Sequence, residues 1–171
     1  MEQDKKTILV IDDEEVVLEF FKELLAEENY SVSVAKTGEE GLEAIGKEFF
    51  HLAIIDKNLP GINGLEVVKR AKKLSLDSET IIVTGYASFE SVTEALELGV
   101  VSYLTKPFED IAKVKNNIKK ALDKQDSKFK FRKKMEEMTE TNKRLTEFNI
   151  RMQNELEKLK KMRESNGDSK E

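Results

Sequence analysis

Four polar signals, each closing a short apolar run, are the positions in this 171-residue chain that could do chemistry. Asp12-Asp13 follows Thr7-Ile8-Leu9-Val10-Ile11, and Asp56 follows Leu52-Ala53-Ile54-Ile55. Thr84 follows Ile81-Ile82-Val83, and Lys106 follows Val100-Val101-Ser102-Tyr103-Leu104-Thr105. Three carboxylates, a hydroxyl and an ammonium meeting in one cleft would suit a divalent cation together with a phosphoryl group. A hard cation takes oxygen ligands and offsets the repulsion among the acids. The ammonium and hydroxyl can meet phosphoryl oxygens as charge builds on them.

The elements that must bring these residues together are legible from periodicity. β-branched runs near 7–11, 31–35, 52–56, 80–84 and 100–104 read as buried strands. Amphipathic stretches near 14–27, 38–48, 64–74, 88–97 and 108–124 read as helices. The first of these repeats Val16, Val17, Phe20, Phe21, Leu24 and Leu25 at helical spacing; the last uses Ile111, Val114, Ile118 and Leu122 to face the sheet. Thr37-Gly38-Glu39-Glu40 and Ala87-Ser88 mark helix starts, and Gly99 fits a helix end. Leu59-Pro60-Gly61-Ile62-Asn63-Gly64 is a dense turn signal. Strict alternation predicts a doubly wound α/β fold: a five-stranded parallel sheet with helices on both faces. Such sheets build their sites at the carboxyl ends of the strands, where all four polar signals lie.

Charge is uneven along the chain. Residues 1–123 carry 15 basic and 24 acidic side chains, while residues 124–171 carry 14 and 10. This balance does not describe a general nucleic-acid binder. The absence of cysteine excludes disulfides and thiolate metal sites. The N-terminus is too acidic, and its apolar run too short, for a signal peptide, and no apolar run reaches membrane-spanning length. A soluble, cytoplasmic protein without membrane contact is expected. The one histidine, His51, begins the third strand, at the end away from the cleft. A surface or half-buried role fits it better than phosphotransfer.

The stretches Ile8-Leu9-Val10-Ile11-Asp12-Asp13-Glu14, Asp56-Lys57-Asn58-Leu59-Pro60-Gly61-Ile62-Asn63-Gly64-Leu65-Glu66, Val83-Thr84-Gly85-Tyr86 and Tyr103-Leu104-Thr105-Lys106-Pro107-Phe108 resemble the receiver domains of two-component response regulators. Each motif alone is weak, but all four in order at matching strand ends are specific. Read singly, each has a plain structural alternative: Asp12-Asp13 and Asp56 as caps, Tyr103 as core, Lys106 as a solvated lysine. The resemblance covers about the first 120 residues, by the strand and helix count of a flavodoxin-like domain. It implies a signalling protein, not an enzyme beyond its own phosphorylation and dephosphorylation. Its phosphoryl donor would be a histidine kinase or phosphotransfer protein. It implies Asp56 as phosphoacceptor and Mg²⁺ as cofactor, held by Asp13, Asp56 and the backbone carbonyl of Asn58, with Asp12 orienting a metal water. Lys106 would pair with the phosphoryl oxygens. Thr84 would move to bond them, beside space left by Gly85, and Tyr103 would turn inward as the switch aromatic. Asn58 and Tyr86 would modulate access of water, and Tyr86 would shield the acyl phosphate. The Lys106-Pro107 bond is commonly cis in such domains. Two readings of Lys57 stay open: an outward side chain of little consequence, or a change of local charge.

From Phe131 onward the pattern changes. With Met135 at a, the d positions are Met138, Leu145, Met152 and Leu159, and the a positions continue as Asn142, Asn149, Leu156 and Arg163. No Pro or Gly interrupts 108–166. This is a heptad seam on one long helix, read as a parallel homodimeric coiled coil in preference to a solitary helix folded back on the receiver or docked to another protein. Asn142 and Asn149 would set register, and Glu155 at g could pair with Lys160 at e between chains. The organisation expected is therefore a receiver over 1–124, a coiled-coil helix over 125–164 with a hinge or register shift at Gln125-Asp126-Ser127, and a disordered tail over 165–171. The seam helix has no histidine, so it is not a kinase dimerisation helix. No DNA-binding or enzymatic output pattern follows residue 124; signalling through contacts with a downstream protein, whose identity the sequence leaves open, is expected. Two rival functions fit the residues less well. An Mg²⁺-dependent phosphohydrolase with an Asp nucleophile usually places that nucleophile after the first strand, with a second Asp two residues on. A zipper-type DNA binder would use Lys128, Lys130, Arg132, Lys133 and Lys134, a short cluster soon followed by acids; nucleic-acid binding is not expected.

Overall fold

The alternation is realised as β1 (Thr7–Ile11), α1 (Glu15–Glu27), β2 (Ser31–Ala35), α2 (Gly38–Lys47), β3 (Leu52–Asp56), α3 (Gly64–Leu74), β4 (Glu79–Thr84), α4 (Phe89–Glu97), β5 (Ser102–Thr105) and α5 (Ile111–Gly167). The structure, a computed structural model, describes residues 5–75 and 77–167. The five strands are parallel in the order β2-β1-β3-β4-β5. The order is that of a flavodoxin-like sheet, whose crevice opens where β1 and β3 lead away from each other. Alternate residues of β1 divide the core. Ile8 and Val10 pack with α1 and α5, whereas Leu9 and Ile11 pack with α2, α3 and α4.

Helix starts follow the capping chemistry of the sequence. Thr37 and Asn63 accept from the amides of Glu40 and Glu66, and Ser88 and Ser91 form a reciprocal capping box. Gly99 ends α4 at φ +70°, a conformation glycine adopts without strain. Helix α5 begins at Ile111, not 108, because Asp110 caps it by accepting from the Lys113 amide at 2.9 Å. Ile111 is consequently 39% exposed and does not face the sheet; Val114, Ile118, Ala121 and Leu122 do.

No break in the helix marks the hinge or register shift expected at 125–127. Helix α5 continues through it, and two clasps hold it to the ends of strands far from the cleft. Gln125 is buried and accepts from Lys6 Nζ at 3.3 Å, and Asp126 pairs with the same ammonium. Glu79, at the start of β4, is buried with its carboxylate 3.2 Å from Lys124 and 3.4 Å from Lys128. Those lysines lie one helical turn apart and face the same way. A polar stretch thus continues the helix because its polar atoms find partners on the sheet edge.

The chain divides into two compact units, Met1–Lys128 and Phe129–Glu171. Within the second, every described residue from 129 to 163 is exposed, including the seam residues Met138, Leu145, Met152 and Leu159. Arg132 pairs with Glu136 at 3.5 Å and stands 6.0 Å from the Phe129 ring, so part of the basic cluster is engaged within the helix. Helix α5 runs to Gly167, past the expected start of the tail at 165; residues 168–171 of that tail lie outside the described residues.

The Glu79 clasp makes an asymmetric prediction. Replacing both Lys124 and Lys128 by Ala strands a buried carboxylate and should lower unfolding free energy by about 3 kcal/mol. Glu79→Gln removes the buried charge while its amide oxygen can still accept from a lysine, and should cost about 1 kcal/mol. Urea denaturation of the three proteins checks the order.

Candidate functional site

Strand register explains why distant residues converge. Ile11 pairs with Ile55, so Asp12 follows beside Asp56. Asp56 pairs with Val83, which places Thr84 one step further along β4. Thr84 pairs with Thr105, so Lys106 leaves β5 at the same edge. Lys106-Pro107 is cis, and Phe108 beyond it stacks on Phe20 of α1 at 4.9 Å. That packing anchors the connection from which the Lys106 side chain reaches back.

Among the described residues, Asp12, Asp13 and Asp56 form an acidic group with ligand oxygens all within 4.8 Å of one another. Asp12 and Asp56 are buried, while Asp13 is exposed. Lys106 Nζ lies 2.8 Å from Asp12, 2.7 Å from Glu14 and 3.4 Å from Asp56 Oδ1. Backbone amides assist: Glu14 N donates to Asp12 Oδ1 at 2.9 Å, and Asn58 N donates to Asp56 Oδ2 at 3.0 Å. Asp56 Oδ1 has no hydrogen-bond partner among the described residues. Lys106 stands at ion-pair distance from that oxygen, without hydrogen-bond geometry.

The electrostatics follow from this layout. Burial raises the Asp56 pKa; Lys106 opposes the rise and the Asp12 charge adds to it. Burial likewise raises Asp12, opposed by Lys106 and the Glu14 amide. For Lys106, burial alone would lower the pKa, but its bonds to Asp12 and Glu14 and the attraction of Asp12 and Asp56 outweigh that, and the ammonium is held charged. Two carboxylates about 4.8 Å apart repel by roughly 3 kcal/mol at an effective dielectric of about 20. One ammonium shared among three acids does not cancel this.

Thr84 is fully buried. Its hydroxyl donates to the Tyr86 carbonyl at 3.0 Å and accepts from Tyr86 N at 3.2 Å and Asn58 Nδ2 at 3.4 Å. It is turned to its own loop. Tyr103 is partly buried against the α2–α3–α4 core, and its hydroxyl meets Ser91 Oγ at 2.9 Å. The Tyr86 ring is 74% exposed. A Cβ at Gly85 would meet nothing within 4 Å, so open space is present there.

Asp12, Asp13, Asp56, Asn58, Thr84 and Lys106 gather at this edge, whereas the Tyr103 hydroxyl is held by Ser91 and Tyr86 is exposed. Three further participants were not singled out. Glu14 takes a share of Lys106; its place directly after the acid pair was the available signal. Ser91 ties Tyr103 to the start of α4. Gly64 lies against the Asp56 backbone: a Cβ there would stand 2.9 Å from Lys57 Cα and closer still to the Asp56 carbonyl. Both neighbours are main chain, and Gly64 N also donates to Lys57 O at 2.9 Å.

A family model described as the response regulator receiver domain matches residues 8–119, and the chain belongs to that family. Sporulation initiation phosphotransferase F of Bacillus subtilis (strain 168) is 32% identical over 115 residues, covering 67% of this chain and 92% of that protein. The crystal structure of a CheY-like receiver domain protein from Methanospirillum hungatei JF-1 matches at 38% identity with a TM-score of 0.70, covering 73% of this chain and 99% of that one. TrrA from Thermotoga maritima, solved in complex with Mg(2+)-BeF, matches at 36% identity and a TM-score of 0.62, covering 68% and 99%. The chain spans about half the length of other curated relatives it matches, which are transcriptional regulatory proteins. No helix among the described residues is long and apolar enough to cross a membrane.

Gly64→Ala should cost about 1–3 kcal/mol of stability through overpacking against rigid backbone. It should also displace the Asp56 carboxylate. Thermal melting checks the first effect, and the rate of phosphoryl labelling checks the second.

Proposed function

We propose that this chain is a phosphorylation-dependent response regulator of the cytoplasm that accepts a phosphoryl group on Asp56. The observation that carries this reading is the buried Asp56 carboxylate with one oxygen lacking a hydrogen bond, beside Asp12, Asp13 and Lys106. A carboxylate oxygen of Asp56 attacks the phosphorus of the donor. The P–O bond to Asp56 forms as the donor's P–N bond to a kinase or phosphotransfer histidine breaks, and the imidazole leaves with the electron pair. Water later attacks the acyl phosphate and releases inorganic phosphate, restoring the carboxylate. The chain would catalyse these two steps on itself and no other reaction.

Asp12, Asp13 and Asp56 present the all-oxygen, acid-rich donor set that fits Mg²⁺. Asp13 and Asp56 would ligate it, with the Asn58 backbone carbonyl, and Asp12 would orient a bound water. When bound, the ion supplies positive charge that offsets the acids and the incoming phosphoryl group. Lys106 is placed to exchange its bonds to Asp12 and Glu14 for phosphoryl oxygens. Thr84 would give up the Tyr86 carbonyl to donate to the same group. Tyr103 would then leave Ser91 and turn inward, changing the α4–β5–α5 surface read by a downstream protein. Asn58 and Tyr86 would set the access of water.

The exposed seam from Phe131 to Leu159 supports a parallel homodimer. Output would pass through protein contacts.

Acetyl phosphate should add one phosphoryl group to the wild type in Mg²⁺ and none in EDTA, read by intact mass, and Asp56→Asn should add none. Labelling of Asp56→Asn at another residue would refute the assignment. For assembly, the full chain should sediment as a dimer at micromolar concentration, and Leu145→Asp with Met152→Asp should sediment as a monomer. A wild type that stays monomeric across that range and after phosphorylation would assign the seam to another protein.

A further inference from the structure

Lys57 follows the phosphoacceptor directly, and its side chain has a definite place. Its ammonium donates to the Tyr86 carbonyl at 2.7 Å and stands 6.0 Å from the centre of the Tyr86 ring. The same carbonyl accepts the Thr84 hydroxyl at 3.0 Å. One acceptor therefore holds two donors, and one of those donors is the hydroxyl that must move for phosphoryl stabilisation. We infer that Lys57 is a positioning residue for this reaction: it keeps the Tyr86 carbonyl satisfied when the Thr84 hydroxyl departs, and so eases that departure.

A carbonyl shared between two donors binds each less tightly than it would bind one, since each donor reduces the charge available to the other. When the hydroxyl leaves, the carbonyl keeps a charged donor at 2.7 Å and does not have to recruit water in its place. The flexible four-carbon stem lets the ammonium follow the loop if Tyr86 shifts, and the exposed ring beside it adds a weak cation–π attraction to the same loop. Two other donors of the cleft are engaged elsewhere. Asn58 Nδ2 points to Thr84 itself at 3.4 Å, and Lys106 is committed to Asp12 and Glu14. Of the two readings of Lys57 that the sequence leaves open, this favours neither the idle outward chain nor a bulk charge effect. The ammonium acts through Thr84.

The inference rests on Asp56 being the phosphoryl acceptor, and the test separates the two. The rate of labelling by acetyl phosphate in Mg²⁺ is measured for the full-length wild type, Lys57→Ala, Lys57→Arg, Thr84→Ala and the Lys57→Ala/Thr84→Ala double variant, with melting curves as a check on folding. Lys57→Ala should label about two- to tenfold more slowly than wild type, the range of one net hydrogen bond. Lys57→Arg, which keeps a charged donor, should retain most of the rate. In the Thr84→Ala background, removing Lys57 should change the rate less than about twofold, because no hydroxyl remains to be released. An equal loss in both backgrounds would mean that Lys57 acts by charge alone and would overturn the inference. So would an unchanged or faster Lys57→Ala. Absence of labelling in the wild type would instead overturn the phosphoryl-acceptor reading itself, and this role with it.

Discussion

Three carboxylates share a space that one ammonium cannot neutralise, and the rest of the receiver is arranged around that imbalance. Ligand oxygens of Asp12, Asp13 and Asp56 lie within 4.8 Å of one another, two of the three acids are buried, and one oxygen of Asp56 has no hydrogen-bond partner among the described residues. Burying such a group is costly unless its charge is matched. The parallel sheet holds the acids there regardless, because register fixes Asp12 beside Asp56 and the apolar faces of β1 and β3 fix the register. The cluster is thus a stored electrostatic demand for cations.

The groups around it are provisionally engaged. Lys106 is divided among Asp12, Glu14 and Asp56. The Thr84 hydroxyl and the Lys57 ammonium meet on one carbonyl, and Tyr103 meets Ser91. In the proposed reaction these are the bonds that a phosphoryl group would reorganise. The far edge of the sheet is built differently. There Glu79, Gln125 and Asp126 are matched by Lys124, Lys128 and Lys6, and helix α5 passes through without a break. One end of the domain has interchangeable partners and the other has settled ones.

Much of this was legible in the sequence, because it rests on local pattern. β-branched runs, turn residues and capping serines and threonines set the ten elements, and each chemical residue closes a strand. The receiver motifs followed from that order. What stayed hidden depends on tertiary neighbours. Gly64 read as a turn glycine, since nothing local shows that its missing Cβ makes room for the Asp56 backbone. Gln125-Asp126-Ser127 read as a hinge, since its polar residues are satisfied by Lys6, 119 to 120 positions away. Val16 matched the helical period of α1 but is 81% exposed, because the buried face runs through Val17, Leu18, Phe21, Leu24 and Leu25 and leaves Val16 off it. Lys57 was ambiguous, because its partner is a backbone carbonyl on another loop.

Charge repulsion at the cleft opposes folding until cations answer it. Melting of wild type and Asp56→Asn at neutral pH, with and without Mg²⁺, tests it directly. In metal-free buffer Asp56→Asn should melt above the wild type, because an amide removes the charge while still accepting from the Asn58 amide. Added Mg²⁺ should raise the wild-type midpoint progressively and narrow the gap. An Asp56→Asn variant that melts below the wild type in metal-free buffer, with neither protein responding to Mg²⁺, would contradict the account.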